Sequence, residues 1–419
     1  MRNLASLEAS LTLTAPKQAI SIPPPPEAKK CLLGPTTEIP CIPSFKAMPR
    51  LLSYWISIGA DFALSLPSPV TTSTQLACEK SAVDAVRRPF RRLLNHSITG
   101  VPSASPLTPV PLSHHGRSIA GITGLLGQRL ARAALDRGLA VRGLGRSPDK
   151  LDPTIAASLE AFVQMASHED IPALDKAVAG VDSIINAYSP IDVLSLDGSL
   201  LLLRAAERAG IKVFIACSWN YDWTRMKYGA LEHYDTCIAF EHQAALTSTI
   251  RPVYLFTGIF SSYMLSPFAP GAAVVGPEKT VFRYWGDDGL KTKHPWVTQD
   301  DAAVYTIDVL LHGKGVQDAQ GGFFHIPSGR STIAEIAEAY GRVSGKPYEV
   351  EKADSLDELR QQVDESRKRL GRGRAWDYAS LAMQLESNSG IFEMADEQLY
   401  DVNKVKTATT LDDALRPIV

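Results

Sequence analysis

Residues 117–150, RSIAGITGLLGQRLARAALDRGLAVRGLGRSPDK, constrain the fold of this chain more than any other stretch. An apolar pair, Ile119-Ala120, runs into a loop with glycines at 121, 124 and 127, and a helical pattern begins at once. Leu126, Leu130, Ala133 and Ala134 fall at helical spacing, while Gln128, Arg129, Arg132 and Arg137 take the other face. Gly138 ends the helix and Val141–Leu144 reads as the next strand. Three spaced glycines also suit an ordinary turn. Placed between a strand and an amphipathic helix, they suit a dinucleotide. Gly121 permits the tight turn, Gly124 lets the backbone approach a pyrophosphate, and Gly127 lets the helix lie close on the sheet. Thr123, Leu125 and Leu126 complete the candidate contacts, and the unpaired N–H groups of the helix start face the phosphates.

The end of the second strand selects between cofactors. A carboxylate there accepts from a ribose 2′-hydroxyl, whereas an arginine pairs with a 2′-phosphate. The strand runs out as Gly143-Leu144-Gly145-Arg146-Ser147, with no carboxylate before Asp149. Arg146, assisted by Ser147 and Lys150, therefore points to NADP(H).

Beyond residue 150 strands and helices keep alternating. Leu159–Met165, Val181–Ala187, Lys212–Ala216, Val253–Thr257 and Gly322–Ile326 read as strands, with helices at His168–Ala179 and Asp197–Ala209. Near-continuous apolar strands such as VDSIINA belong in a parallel sheet covered on both faces. Ligands of such sheets bind beyond the strands' carboxyl ends, which adds Ala187, Tyr188, Ser189 and Ser218 to the candidate cofactor contacts. The expected fold class is thus α/β, a doubly wound parallel Rossmann sheet over 114–265, followed by a smaller C-terminal α/β substrate region over 266–419. In the latter, Trp285–Gly289 reads as a turn, Asp300 or Asp301 as the cap of a helix through Leu311, and Ser331-Thr332 as the start of a helix over Ile333–Gly345. Residues 354–374 read as a solvated helix, and Trp376, Tyr378, Met383 and Phe392 as packing of the terminal cap.

GITGLLG, VRGLGRSPDK, VDSIINA, AAERAGIKVFIACSWNYDW and VYLFTGIF, in that order, resemble the NmrA-like and isoflavone-reductase-like atypical short-chain dehydrogenases, the fungal branch in particular. The resemblance covers residues 117–419. It implies an NADP(H)-binding Rossmann domain and a C-terminal region that closes over a small-molecule substrate.

The chemistry is harder to read. Short-chain dehydrogenases commonly use Tyr-x-x-x-Lys, and that spacing occurs only late in the chain, at Tyr348/Lys352 and Tyr400/Lys404, not in the segments that follow the fifth and sixth strands. The isoflavone-reductase resemblance implies a lysine in the helix before the sixth strand, but Tyr234–Leu246 has none. His242 takes its place by position, and an imidazole can act as an acid near neutrality. It can equally be a structural hydrogen-bonder. Ser218–Trp223 follows the fifth strand, so Tyr221 is a candidate proton donor and Lys227 a candidate support for an oxyanion. Trp219 and Trp223 suit either an aromatic substrate or interdomain packing. Two functions are consistent with these residues. One is an NADPH-dependent reductase of a small aromatic or polyketide-like carbonyl or enone, as in secondary metabolism. The other is a non-catalytic redox sensor of the NmrA type with a protein partner.

Composition narrows the setting. A net charge of −2 carries no nucleic-acid signature. The five cysteines (31, 41, 78, 217 and 237) are widely spaced, with no CxxC and no His/Cys cluster, so neither a disulfide framework nor a metal site is indicated. Cys217 and Cys237 have no evident activating base and read as buried spectators. Reduced thiols fit a cytoplasmic protein. Residues 1–113 differ: they hold 16 of the 28 prolines and few periodic apolar segments, the composition of a disordered arm. Leu51–Leu66 is apolar but short for a membrane span and contains Asp61. Arg87, Arg88, Arg91 and Arg92 form a basic patch, either a targeting element or a solvated arm. The polar stretch His114–Ser118, where the first strand should begin, implies a short strand or a foreign junction upstream of the domain.

Overall fold

The structure, a computed structural model, describes residues 116–189 and 194–419. The proline-rich stretch, with Leu51–Leu66 and the arginine patch, and the segment 190–193 lie outside the described residues. Seven parallel strands form the main sheet. In chain order they begin with β1 (Gly116–Ala120), β2 (Ala140–Gly145), β3 (Ala161–Gln164), β4 (Ser183–Asn186), β5 (Val213–Ile215) and β6 (Val253–Phe256). The short strands β7 (Ile259–Phe260), β8 (Val274–Val275), β9 (Thr280–Trp285) and β10 (His294–Val297) precede β11 (Gly322–His325), which returns to the main sheet; β12 (Gly329–Ser331) and β13 (Tyr348–Asp354) close the list. The sheet order is β11-β6-β5-β4-β1-β2-β3, so the winding reverses between β1 and β4. That is the doubly wound arrangement expected, and it opens a crevice at the reversal.

Alternation explains why these strands sit in the middle of the molecule. In β6, Val253 and Leu255 enter one core while Tyr254 and Phe256 enter the other, and β5 divides Val213 and Ile215 from Phe214 in the same way. Both faces are covered, so both sets must be apolar. One face receives α1 (Leu125–Leu135), and the other receives α3 (Ile171–Val178), α4 (Ser199–Arg208) and α5 (Glu232–Thr247). A short helix, α2 (Pro153–Ser158), was not expected; Asp152 caps it, its carboxylate accepting from the Thr154 and Ile155 amides.

The polar start of β1 is accommodated in the strand itself. Gly116, Arg117 and Ser118 pair with β2 in continuous register, Gly116 opposite Ala140. Arg117 is buried, a location that lowers its pKa, and the carboxylate of Asp182 counters that effect.

The C-terminal half supplies two three-stranded sheets, β12-β10-β7 and β13-β9-β8, with α6 (Gln299–His312), α7 (Ile333–Ser344), α8 (Leu356–Leu370), α9 (Ala379–Asn388) and α10 (Leu411–Leu415). The cap of α6 is Thr298, whose hydroxyl accepts from the Asp301 amide at 3.1 Å, not Asp300 or Asp301. Asp301 is instead fully buried one turn in. It accepts from Ser328 Oγ (2.7 Å), Lys406 Nζ (2.6 Å) and the Thr409 amide (3.0 Å), tying α6 to the chain end. Burial alone would raise its pKa; these donors outweigh that and hold it below the ordinary carboxylate value. Its stabilisation is therefore complete above about pH 4 and is lost as pH falls through the lower folded value. Asp301→Ala strands three donors and is expected to cost about 2–3 kcal/mol, read as a lower urea midpoint at neutral pH. An unchanged midpoint would show that the cluster carries no stability.

Candidate functional site

The crevice begins where β1 turns into α1. Gly121 has φ +77°, and a Cβ there would press into the Ala187 carbonyl of the chain leaving β4. Only glycine lets these two strand ends lie so close. A Cβ on Gly127 would lie 2.8 Å from Ile122 Cα, so the helix rests directly on the loop. Gly124, the N-cap of α1, is solvent-exposed, and no side chain caps the helix. The first amides of α1 thus open onto space that a side chain at 124 would fill. This is the cradle a pyrophosphate needs.

Arg146, Ser147 and Lys150 follow β2, Arg146 and Lys150 exposed and Ser147 half-buried. Burial drives the Tyr188 phenol far above its ordinary pKa, and the positive charge of Arg146 offsets this in part. Arg146 thus lies within electrostatic range of Tyr188 in the chain leaving β4. The residues present fit a phosphorylated dinucleotide. Thr123 stands beside Gly145 at the end of β2.

From Gly124, Leu125, Leu126, Ala187, Tyr188 and Ser189, one continuous cleft of about 530 Å³ leads into an aromatic chamber. Tyr221, Tyr234, Phe260, Tyr263, Phe268 and Trp376 wall this chamber, with His233 and Asn220 as its polar groups. Its elements come from both halves of the chain. The segment after β5 brings Tyr221, and the start of α5 brings His233 and Tyr234. The stretch between α8 and α9 brings Trp376, whose ring stacks on His233 (centroids 5.2 Å, 24° between planes). That stretch is anchored on α5: Arg367 donates to the Glu232 carboxylate at 2.8 Å, and the Tyr378 hydroxyl donates to it at 2.9 Å.

Tyr221 is 2% exposed, and its hydroxyl has no hydrogen-bond partner. Its ring stacks on Phe392 at 4.5 Å. Burial pushes its pKa far above the ordinary phenol value, and Tyr234 is shifted the same way, with Tyr221 as a second cause. Both phenols stay protonated across the physiological range. Cys217 and Cys237 line the cleft, and burial raises both thiols; Cys217 Sγ donates to the Tyr188 carbonyl at 2.9 Å. Both stay protonated; Cys237 is buried as the sequence suggested, whereas Cys217 is half-buried.

The residues expected from sequence are not all gathered here. Lys227 and His242 line a separate hollow with Trp223, Tyr228 and Glu241. His242 is largely exposed, its Nδ1 3.2 Å from the Tyr228 hydroxyl. Ser218 is fully buried, donating to the Ala216 carbonyl and accepting from the Leu255 amide at 2.7 Å, so its hydroxyl serves the sheet. Trp219 donates to Thr306 Oγ1 at 2.9 Å, and Trp223 packs edge-on to Phe256 at 4.8 Å, so both are packed into the core, Trp219 at the edge of the cleft and Trp223 at the edge of the hollow. Sequence reasoning missed Tyr234, His233 and Tyr263. The first two open a helix whose apolar face is not distinct, so nothing in their spacing marks a cleft wall.

Among the described residues no helix is long and apolar enough to cross a membrane, and no cluster of His, Cys, Asp or Glu is arranged to hold a metal. Comparison with solved structures supports the fold. An isoflavone reductase superposes with a TM-score of 0.57 at 19% identity, covering 73% of this chain and all of that one. AtPrR2 with NADP+ and (+)-pinoresinol gives 0.56 at 21% identity, over 73% and 99%. The leucoanthocyanidin reductase–NADPH complex of Vitis vinifera gives 0.53 at 18%, over 72% and 98%. In sequence, a bifunctional pinoresinol-lariciresinol reductase of Linum usitatissimum is 25% identical over 251 residues, 58% of this chain and 78% of that protein. One from Linum album is 27% identical over 218 residues, 48% and 65%. The model of the NmrA-like family matches residues 118–379, well over half of the sequence. By that match, the chain belongs to the NmrA-like family.

Proposed function

We propose that the protein is an NADPH-dependent reductase of a small, neutral aromatic or polyketide-like carbonyl or enone. The observation that carries this reading is the continuity of the cleft. The glycine cradle and the aromatic chamber share one space, so a nicotinamide extending from the cradle meets a flat substrate between aromatic walls. The relatives with reductase names, and the neighbours bound to NADP+ or NADPH, support it. NADPH, when bound, supplies the hydride. Gly121, Gly124 and Gly127 hold the pyrophosphate against α1, and Arg146 with Ser147 and Lys150 holds the 2′-phosphate. Tyr221, protonated and without a partner, gives its proton to the oxygen or carbon that the hydride leaves basic. The boundaries drawn from sequence, a cofactor domain over 114–265 and a substrate region over 266–419, suit this division of labour, as does a cytoplasmic setting with a small molecule as partner.

Titration should show NADPH binding at least about tenfold more tightly than NADH, because a charge-assisted contact to phosphate contributes about 1.5–3 kcal/mol. Arg146→Ala should erase most of that difference. Equal affinities in the unaltered protein would contradict the cofactor assignment. Consumption of NADPH with a panel of aromatic ketones, enones and quinones then separates reductase from sensor, since a sensor binds the dinucleotide and consumes none.

A further inference from the structure

Lys227 and His242, left aside by the cleft, lie in a hollow of about 470 Å³ between the segment after β5, α5 and β11. Its body is apolar, with Trp223, Met226, Ile238 and Phe323 in the lining. Phe323 is 47% exposed, though its ring stacks on Tyr254 at 5.0 Å, so a flat hydrophobic surface is left facing solvent. Trp223 is 2% exposed and its Nε1–H has no hydrogen-bond partner. Lys227 is exposed and has no carboxylate partner among the described residues. The one carboxylate in the lining, Glu241, lies 3.5 Å from His242 Nε2, and the other nitrogen of that ring is held by Tyr228. An apolar wall beside a cation that has no carboxylate partner suits a ligand with one flat face and one anionic end.

We propose that this hollow is a second small-molecule site, separate from the cleft, for an aromatic carboxylate. The ring lies against Phe323. The carboxylate takes Lys227 as its counter-ion. The inference does not rest on the reductase reading: it would stand if the cleft bound no dinucleotide.

The test is calorimetric titration of the full chain with trans-cinnamate, with NADPH titrated separately. One cinnamate is expected per chain. Lys227→Met should weaken it about tenfold or more, the size of a charge-assisted contact, and Phe323→Ala should weaken it as well. The neutral trans-cinnamamide should bind as poorly as cinnamate does to the Lys227→Met protein. Trp376→Ala, in the cleft, should leave cinnamate affinity unchanged. Lys227 and Phe323 are exposed, so loss of folding does not explain a loss of binding. The proposal is overturned if cinnamate does not bind at millimolar concentration or if the amide binds equally well. It is also overturned if Trp376→Ala weakens binding while Lys227→Met and Phe323→Ala do not, since the ligand then sits in the cleft.

Discussion

Replacing Tyr221 by Phe is expected to lower NADPH-dependent turnover by about 10²–10⁴-fold, the usual contribution of a positioned proton donor. Dinucleotide affinity should barely change, because Tyr221 belongs to the chamber end of the cleft and not to the glycine cradle. Stability should stay level or rise. The Tyr221 hydroxyl is buried and unpartnered, so removing it relieves an unsatisfied group and leaves the ring stacked on Phe392. A substitution that loses activity without losing stability distinguishes chemistry from packing. The pH profile adds a sign. Burial raises the phenol pKa, so Tyr221 remains protonated well above the ordinary tyrosine value near 10. No descending limb from this residue should appear as pH rises toward that value. Turnover that survives the substitution would move the proton source to water or to the substrate.

The second large effect belongs to Gly127. A Cβ there would lie 2.8 Å from Ile122 Cα and 2.9 Å from Ile122 C, and closer still to the Gly121 carbonyl. These are main-chain atoms and cannot swing aside, so even Gly127→Ala must push α1 away from the loop. NADPH affinity is expected to fall by about 100-fold, some 2.7 kcal/mol, with a stability loss of about 1–3 kcal/mol from overpacking. Gly180→Ala is the control. It also sits at positive φ (+70°), but a Cβ there meets nothing within 4 Å, so it should cost stability through backbone strain and leave NADPH affinity intact. Equal losses of affinity in the two proteins would show that the Gly127 effect is general destabilisation.

Local signals carried much of this fold and less of the site. The strand–glycine–helix unit was legible because each step needs a particular residue: positive φ at Gly121, close approach at Gly127, an amphipathic α1. The strands of the main sheet were legible because burial on both faces leaves an apolar run, although they proved shorter at their ends than the runs that mark them. In contrast, β13 reads YEVEKAD, half of it charged, and pairs with β9 some 70 residues away. An exposed strand completed by a remote partner leaves no periodic trace. The chamber was hidden for a similar reason. Trp376 was expected to pack the terminal cap with Tyr378, Met383 and Phe392; those three are buried, whereas Trp376 is half-exposed against His233 at the cleft. Composition cannot tell an aromatic that fills a core from one that walls a cavity. Lys227 and His242 were grouped with Tyr221 by nearness along the chain, but the segment after β5 presents Tyr221 to one cavity and Trp223 to another.

The central claim is that hydride passes from NADPH to a substrate held in the aromatic chamber. Incubation with NADPH carrying deuterium at the nicotinamide C4, in the presence of the ketone, enone and quinone panel, tests it in one step by mass spectrometry of the products. A reductase places one deuterium on carbon, or on a quinone's reduced ring system before exchange, in at least one member of the panel, and Tyr221→Phe slows that transfer. Tight binding of NADPH with the label retained on the nicotinamide across the whole panel would contradict the claim.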